Sequence, residues 1–141
     1  MERPLVVLDT NVVVSALRSR RGCVFQAVEA TGGGWFDIAI SVPVVLEYEA
    51  ALMERRIAPT TESDVQTVLD YLCSAGHQQQ VFFLWRPLLP DPKDDMVLEL
   101  AVAAQCDAVV TYNVRDFHGA ERLGIGVWTP ADLLKGVGLL S

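Results

Sequence analysis

Four consecutive apolar residues, Leu5 to Leu8, run into a single acid, Asp9, and a further apolar segment follows within a few residues, so that the stretch Leu5–Leu17 reads LVVLDTNVVVSAL. An unbroken apolar run with β-branched members is the pattern of a strand buried on both faces, as in a parallel sheet. Asp, Thr and Asn compete for backbone hydrogen bonds and cap helices, so the strand is expected to end at Asp9 and a helix to start near Thr10 or Asn11. In open α/β sheets ligands bind outside the carboxyl ends of the strands. Asp9 therefore stands where a ligand would be met.

The rest of the chain repeats this alternation. Val24–Ala30 can continue a helix, and Gly32-Gly33-Gly34 ends it as a linker turn that lacks the phosphate-loop and GxGxxG spacings. Trp35–Ile40 is predicted as a strand, and Ser41 with Pro43 marks the next helix, whose inward stripe is Val44, Val45, Tyr48 and Leu52. A helix from Thr60 or Thr61 to Ala75 keeps one apolar face and ends at Gly76; His77 and the glutamines after it read as exposed loop. Val81–Trp85 is a further candidate strand. Asp107–Thr111 and Ile125–Trp128 are the last strands, and Thr129, Pro130 and Asp132 form a helix start resembling a capping box with Asp in place of Glu. Strand and helix alternating throughout predict an α/β fold, a three-layer sandwich around a mostly parallel sheet. A length of 141 residues suits one domain, 1–141.

Composition narrows the function. Hydrophobic residues make up 51% and no apolar run approaches bilayer length, so a globular cytoplasmic protein without a membrane span is expected. Cys23, Cys73 and Cys106 form no CxxC pair, which suggests neither a disulfide framework nor zinc. With 18 acids against 11 basic residues the net charge is −7, which argues against holding nucleic acid on a broad positive surface. It does not argue against a nuclease that reserves carboxylates for a cation.

Those carboxylates, with one carboxamide, gather at strand ends and helix starts: Asp9; Asp91, Asp94 and Asp95 before the nearly all-apolar helix Met96–Ala104; Asn113 and Asp116 after the strand at Thr111. Glu47 and Glu49 flank the buried face of the helix after Ser41. One acid at a helix start is explained by the macrodipole alone, which favours it by about 0.3–1 kcal/mol. Several along one sheet edge are not: two carboxylates ~4 Å apart repel by roughly 4 kcal/mol at an effective dielectric near 20. A cluster of oxygen ligands without Cys or His selects a hard cation, Mg²⁺ or Mn²⁺. A receiver-like phosphoacceptor is the poorer match, having no counterpart here for adjacent acids after the first strand or for a late lysine between Lys93 and Lys135.

Nearly the whole chain resembles the PIN domains, particularly the toxin-like (VapC-type) bacterial and archaeal members. The resemblance rests on LDTNVVVSAL (Leu8–Leu17), SVPVVLEYEAAL (Ser41–Leu52), DPKDDMVLELAVAAQCDAVVTYNVRDF (Asp91–Phe117) and VWTPADLL (Val127–Leu134), in that order and spacing. It implies a metal-dependent ribonuclease acting on single-stranded RNA, with catalytic, metal-holding acids at Asp9, Glu47 and Asp94. It selects Glu47 over Glu49 and Asp94 over Asp95. In the fourth acidic place, where many relatives have Asp, this chain has Asn113, and Asp116 follows in an RDF sequence that some relatives share. Thr10, Asn11, Ser15 and Thr111 match polar positions that support the acidic pocket in the family. An antitoxin partner and a homodimer are also implied. The rival expectation is a PIN-like scaffold that binds RNA or protein without cleaving it.

Overall fold

The computed structural model describes residues 3–19, 31, 33–55, 60–81, 89 and 91–139. Within them the chain runs β1 (Leu5–Leu8), α1 (Thr10–Ser19), β2 (Asp37–Ile40), α2 (Val42–Arg55), α3 (Glu62–Ala75), β3 (His77–Gln78), α4 (Pro92–Ala103), β4 (Ala108–Val110), β5 (Gly126–Trp128) and α5 (Pro130–Val137), with two 3₁₀ turns, Val114–Phe117 and Ala120–Leu123, between β4 and β5. The five strands form one parallel sheet in the order β3-β2-β1-β4-β5. Val6, Val7 and Leu8 stand opposite Ala108, Val109 and Val110 on one side, while Leu5 and Val6 stand opposite Asp37 and Ile38 on the other.

This order explains the apolar run at the N-terminus. β1 is the central strand, paired on both edges and covered on both faces, so Val6, Val7 and Leu8 are completely buried. From β1 the chain winds outward to β2 and β3, then crosses back to β4 and β5. The helices α1, α2 and α3 pack against one another in turn, while α4 lies against β1, β2 and β4. The direction of winding therefore reverses between β1 and β4, and the gap at their carboxyl ends is the topological switch point of the sheet.

Local chemistry sets the helix ends. Thr61 and Thr129 each make a reciprocal capping box with an Asp three residues on, Asp64 and Asp132. The Asp-for-Glu variant at α5 closes as the sequence suggests. Asp91 caps α4 through its carboxylate, which accepts from the Lys93 N–H at 2.9 Å, and Pro92 occupies the first helical position. At the end of α3, Gly76 is required by close approach: a Cβ there would sit 2.9 Å from the Leu72 carbonyl oxygen and 3.0 Å from an Ile40 methyl group.

Several expectations are refined. The strands predicted from Trp35, Asp107 and Ile125 begin one or two residues later, at Asp37, Ala108 and Gly126. His77 and Gln78, expected as loop, form a two-residue parallel strand against Ala39 and Ile40. Both remain exposed, which is why the sequence carries no apolar signal for this edge strand. Cys106 is buried and Cys73 half-buried, both free. The helix over Val24–Ala30, most of the strand over Val81–Trp85, and Cys23 lie outside the described residues. Among the described residues no helix is long and apolar enough to cross a membrane.

Candidate functional site

Asp9 is fixed by the sheet it terminates. Its N–H donates to the Val110 carbonyl at 2.8 Å, extending the β1–β4 ladder one residue past the strand and leaving its side chain at the switch point. One carboxylate oxygen accepts from the Thr10 N–H at 2.9 Å, and the other accepts from the Thr111 hydroxyl at 2.7 Å. The Thr111 hydroxyl oxygen in turn accepts from the Asn113 N–H at 2.9 Å and from the Asn11 amide at 3.5 Å. Asn11 closes the ring by accepting from the Tyr112 N–H at 3.4 Å. Thr10, Asn11 and Thr111 therefore hold the ends of β1 and β4 in register around one acid. Below it, the buried Tyr48 hydroxyl donates to the Leu8 carbonyl and anchors α2 to the last residue of β1.

Around Asp9 a pocket of ≈ 130 Å³ is lined by Glu47 from α2, Asp91 and Asp94 from the start of α4, and Asn113 and Asp116 from the turn after β4. The same pocket takes in two cations, Lys93 and Arg55. All three acids selected by the resemblance, Asp9, Glu47 and Asp94, thus face one space, and Asn113 and Asp116 stand exposed on its rim. Ser15 is not among its lining residues. The acids passed over have other occupations. Glu49 accepts from the Gln66 amide at 3.0 Å, and Asp95, 1% exposed, accepts from the Leu89 N–H at 2.9 Å.

The electrostatics follow from burial and crowding. Burial raises the Asp94 carboxyl to about 7, reinforced by Asp9, Asp91, Asp116 and Asp95. Asp9 is also raised by burial, with Asp116 and Asp91 adding to the shift, while the hydrogen bonds from Thr111 and Thr10 oppose it. Carboxylates that raise one another lack sufficient positive charge nearby. The ion pair at the pocket is modest: Lys93 Nζ lies 3.6 Å from Glu47 Oε1, with the lysine side chain largely in water.

The donors present are all oxygens, which suits a hard divalent cation and would relieve the repulsion that raises Asp94. As they stand, no three His, Cys, Asp or Glu side chains among the described residues form a ready-made metal ligand set. Larger hollows, of ≈ 460 Å³ beside Trp35 and Trp128 and of ≈ 370 Å³ beside Leu46 and Cys73, gather no comparable group of acids. The only carboxylate among their lining residues, Asp132, is engaged in the α5 capping box. What distinguishes the small pocket is therefore its concentration of charge, not its size.

Asp91, Lys93 and Arg55 are pocket residues that sequence reasoning did not single out. Asp91 lay within the acid run noted before the apolar helix, but no role in the site was assigned to it. Lys93 and Arg55 had no local signal at all, since their meaning depends on which helix faces them.

The architecture has counterparts in known proteins. A chain in the crystal structure of VapBC2 from Rickettsia felis, bound to a DNA fragment from their promoter, superposes with a TM-score of 0.62 at 18% identity, covering 89% of this chain and 98% of that one. At that identity the likeness is one of fold. No curated protein matches the sequence. The family model of the PIN domain matches residues 5–115, a span that holds β1 through β4 together with every acid of the pocket but Asp116, and the chain belongs to the PIN-domain family.

Proposed function

We propose that this protein is a metal-dependent endoribonuclease of the VapC-like toxin type, hydrolysing phosphodiester bonds of single-stranded RNA in the cytoplasm. The observation that carries this reading is the oxygen-only pocket at the switch point, where burial and neighbouring acids raise Asp94 to about 7. Asp9, Glu47 and Asp94 would hold Mg²⁺ or Mn²⁺, with Asn113 or Asp116 contributing from the rim. Such an ion supplies Lewis acidity, activating water and offsetting charge that develops on phosphoryl oxygens. The chain's own contribution is position. Thr111 and the Thr10 N–H orient both oxygens of Asp9, Tyr48 fixes α2 and hence Glu47 relative to β1, and Asp91 caps the helix that presents Asp94.

An antitoxin-like protein partner belongs to the same proposal, supported by the fold likeness to a chain of VapBC2. So does a homodimer. Asn113 favours a second reading, a PIN-like scaffold that binds RNA or protein without cleaving, because it removes a charge from the place where many relatives carry Asp.

One experiment separates the two. Purified protein is incubated with single-stranded RNA in EDTA, Mg²⁺ or Mn²⁺, alongside Asp9→Asn and Asp94→Asn and the controls Glu49→Gln and Asp95→Asn. The nuclease reading expects metal-dependent cleavage that falls by roughly 100-fold or more in the first pair and much less in the controls. Cleavage that persists in EDTA, or equal losses for Asp95→Asn and Asp94→Asn, would count against it. RNA binding without cleavage in any metal would establish the scaffold.

A further inference from the structure

Lys93 is misplaced by local rules. It lies in the first turn of α4, where the helix dipole favours anions and disfavours a cation. Its backbone N–H is engaged by the Asp91 cap, which fixes the residue's position, while its side chain lies largely in water. That side chain, 61% exposed, reaches across to α2 and places Nζ 3.6 Å from Oε1 of Glu47, itself only 15% exposed. Among the described residues it is the only cation within ion-pair distance of a pocket carboxylate. The two residues are distant in sequence, so only the packing of α2 against α4 brings them together.

We infer that Lys93 is a displaceable counter-ion of the acidic pocket, holding Glu47 in the metal-free protein and giving it up to an incoming divalent cation. The inference rests on the metal-site reading of the pocket. A monovalent ammonium in mostly aqueous surroundings makes a weak, salt-screened pair. A divalent ion shared by Asp9, Glu47 and Asp94 wins that competition, and the flexible lysine stem lets the ammonium withdraw into water without disturbing α4. Lys93 thus acts through Glu47, as a positioning residue that tempers metal affinity and limits repulsion when the site is empty.

Isothermal calorimetry of Mn²⁺ binding, with no RNA present, tests this on wild-type protein, Lys93→Met and Lys93→Arg. Met keeps the stem and removes the charge, so Mn²⁺ should bind about two- to fivefold tighter at low salt, the range set by the worth of an exposed ion pair. The difference should close at high salt. Lys93→Arg, which keeps the charge, should stay near wild type. Equal or weaker affinity in Lys93→Met at low salt, while wild type binds Mn²⁺, overturns this inference alone. Wild-type protein that binds no Mn²⁺ overturns the metal-site reading and this inference with it.

Discussion

Asp94 is a first-turn helix acid that also lines the acidic pocket, and a purely structural role and a metal-holding role predict opposite responses. Its carboxyl is raised from 3.8 to about 7 by burial and by the acids around it, so the native state holds that proton more tightly than the unfolded chain does. The resulting stabilisation is fully present below pH 3.8 and is lost as the pH rises through about 7. In EDTA, wild-type protein should therefore lose melting temperature relative to Asp94→Asn across this window, and at neutral pH the variant should equal or exceed it. Excess Mn²⁺ should reverse the order, since a ligand specific to the native state contributes about 2.7 kcal/mol at a hundredfold excess over Kd. If Asp94 were only a dipole-complementing acid, its loss would cost about 0.3–1 kcal/mol with or without metal. Equal destabilisation in both conditions excludes a metal role. Asn113 provides the complementary case: Asn113→Asp adds a charge at the pocket rim, so calorimetry should show tighter Mn²⁺ or Mg²⁺ binding. Unchanged affinity would remove position 113 from the ligand set and leave Asp116 as the rim acid.

At the level of elements, the site depends on how helices are held against the sheet. α3 meets β2 through Gly76, where a side chain would press on both the Leu72 carbonyl and Ile40. Gly76→Ala should therefore destabilise the protein by about 1–3 kcal/mol through overpacking, measured by denaturant unfolding. Mn²⁺ affinity of the folded variant should be unchanged, because α3 contributes no residue to the pocket. A loss of metal affinity comparable to that of Asp94→Asn would show that the α2–α3 layer is coupled to the pocket. α4 combines the opposite demands: it carries Asp94 toward the pocket and buries Asp95 and Glu99, 1% and 4% exposed, on its other sides. An acid-bearing helix this dry is oriented by its burial, and that orientation decides which of two adjacent aspartates faces the pocket.

For the whole molecule, the sheet order places the candidate chemistry at the most constrained part of the fold. β1 is bonded on both edges, whereas β3 is a two-residue edge strand with exposed side chains. Native-state hydrogen exchange should find the amides of Val7 and Asp9 among the slowest and those of His77 and Gln78 far faster, in line with local opening from the sheet edge. Fast exchange at Asp9 would mean that the β1–β4 junction opens on its own and that the pocket is not preformed. With a net charge of −7, the molecule as a whole offers no broad electrostatic attraction to a polyanion.

Much of this was present in the order of residues alone. The apolar run Leu5–Leu8 specified a doubly buried central strand, and Asp9 specified its end, because a charge cannot continue a strand that is dry on both faces. The capping boxes at Thr61 and Thr129 are likewise local, since their partners lie three residues on. Other features had no local signature. β3 is held by backbone pairing to β2 rather than by apolar side chains, so His77 and Gln78 look like loop until a neighbouring strand is supplied. Glu47 and Glu49 are equivalent by helical periodicity, and Asp94 and Asp95 are both ordinary first-turn acids. Only the packing of α2 and α4 across the end of β1 turns one of each pair toward the pocket and ties the other to Gln66 or Leu89. The pairing of Lys93 with Glu47 belongs to the same class. Charge–charge contacts act through space, and the distance between these two helices is set by the tertiary fold.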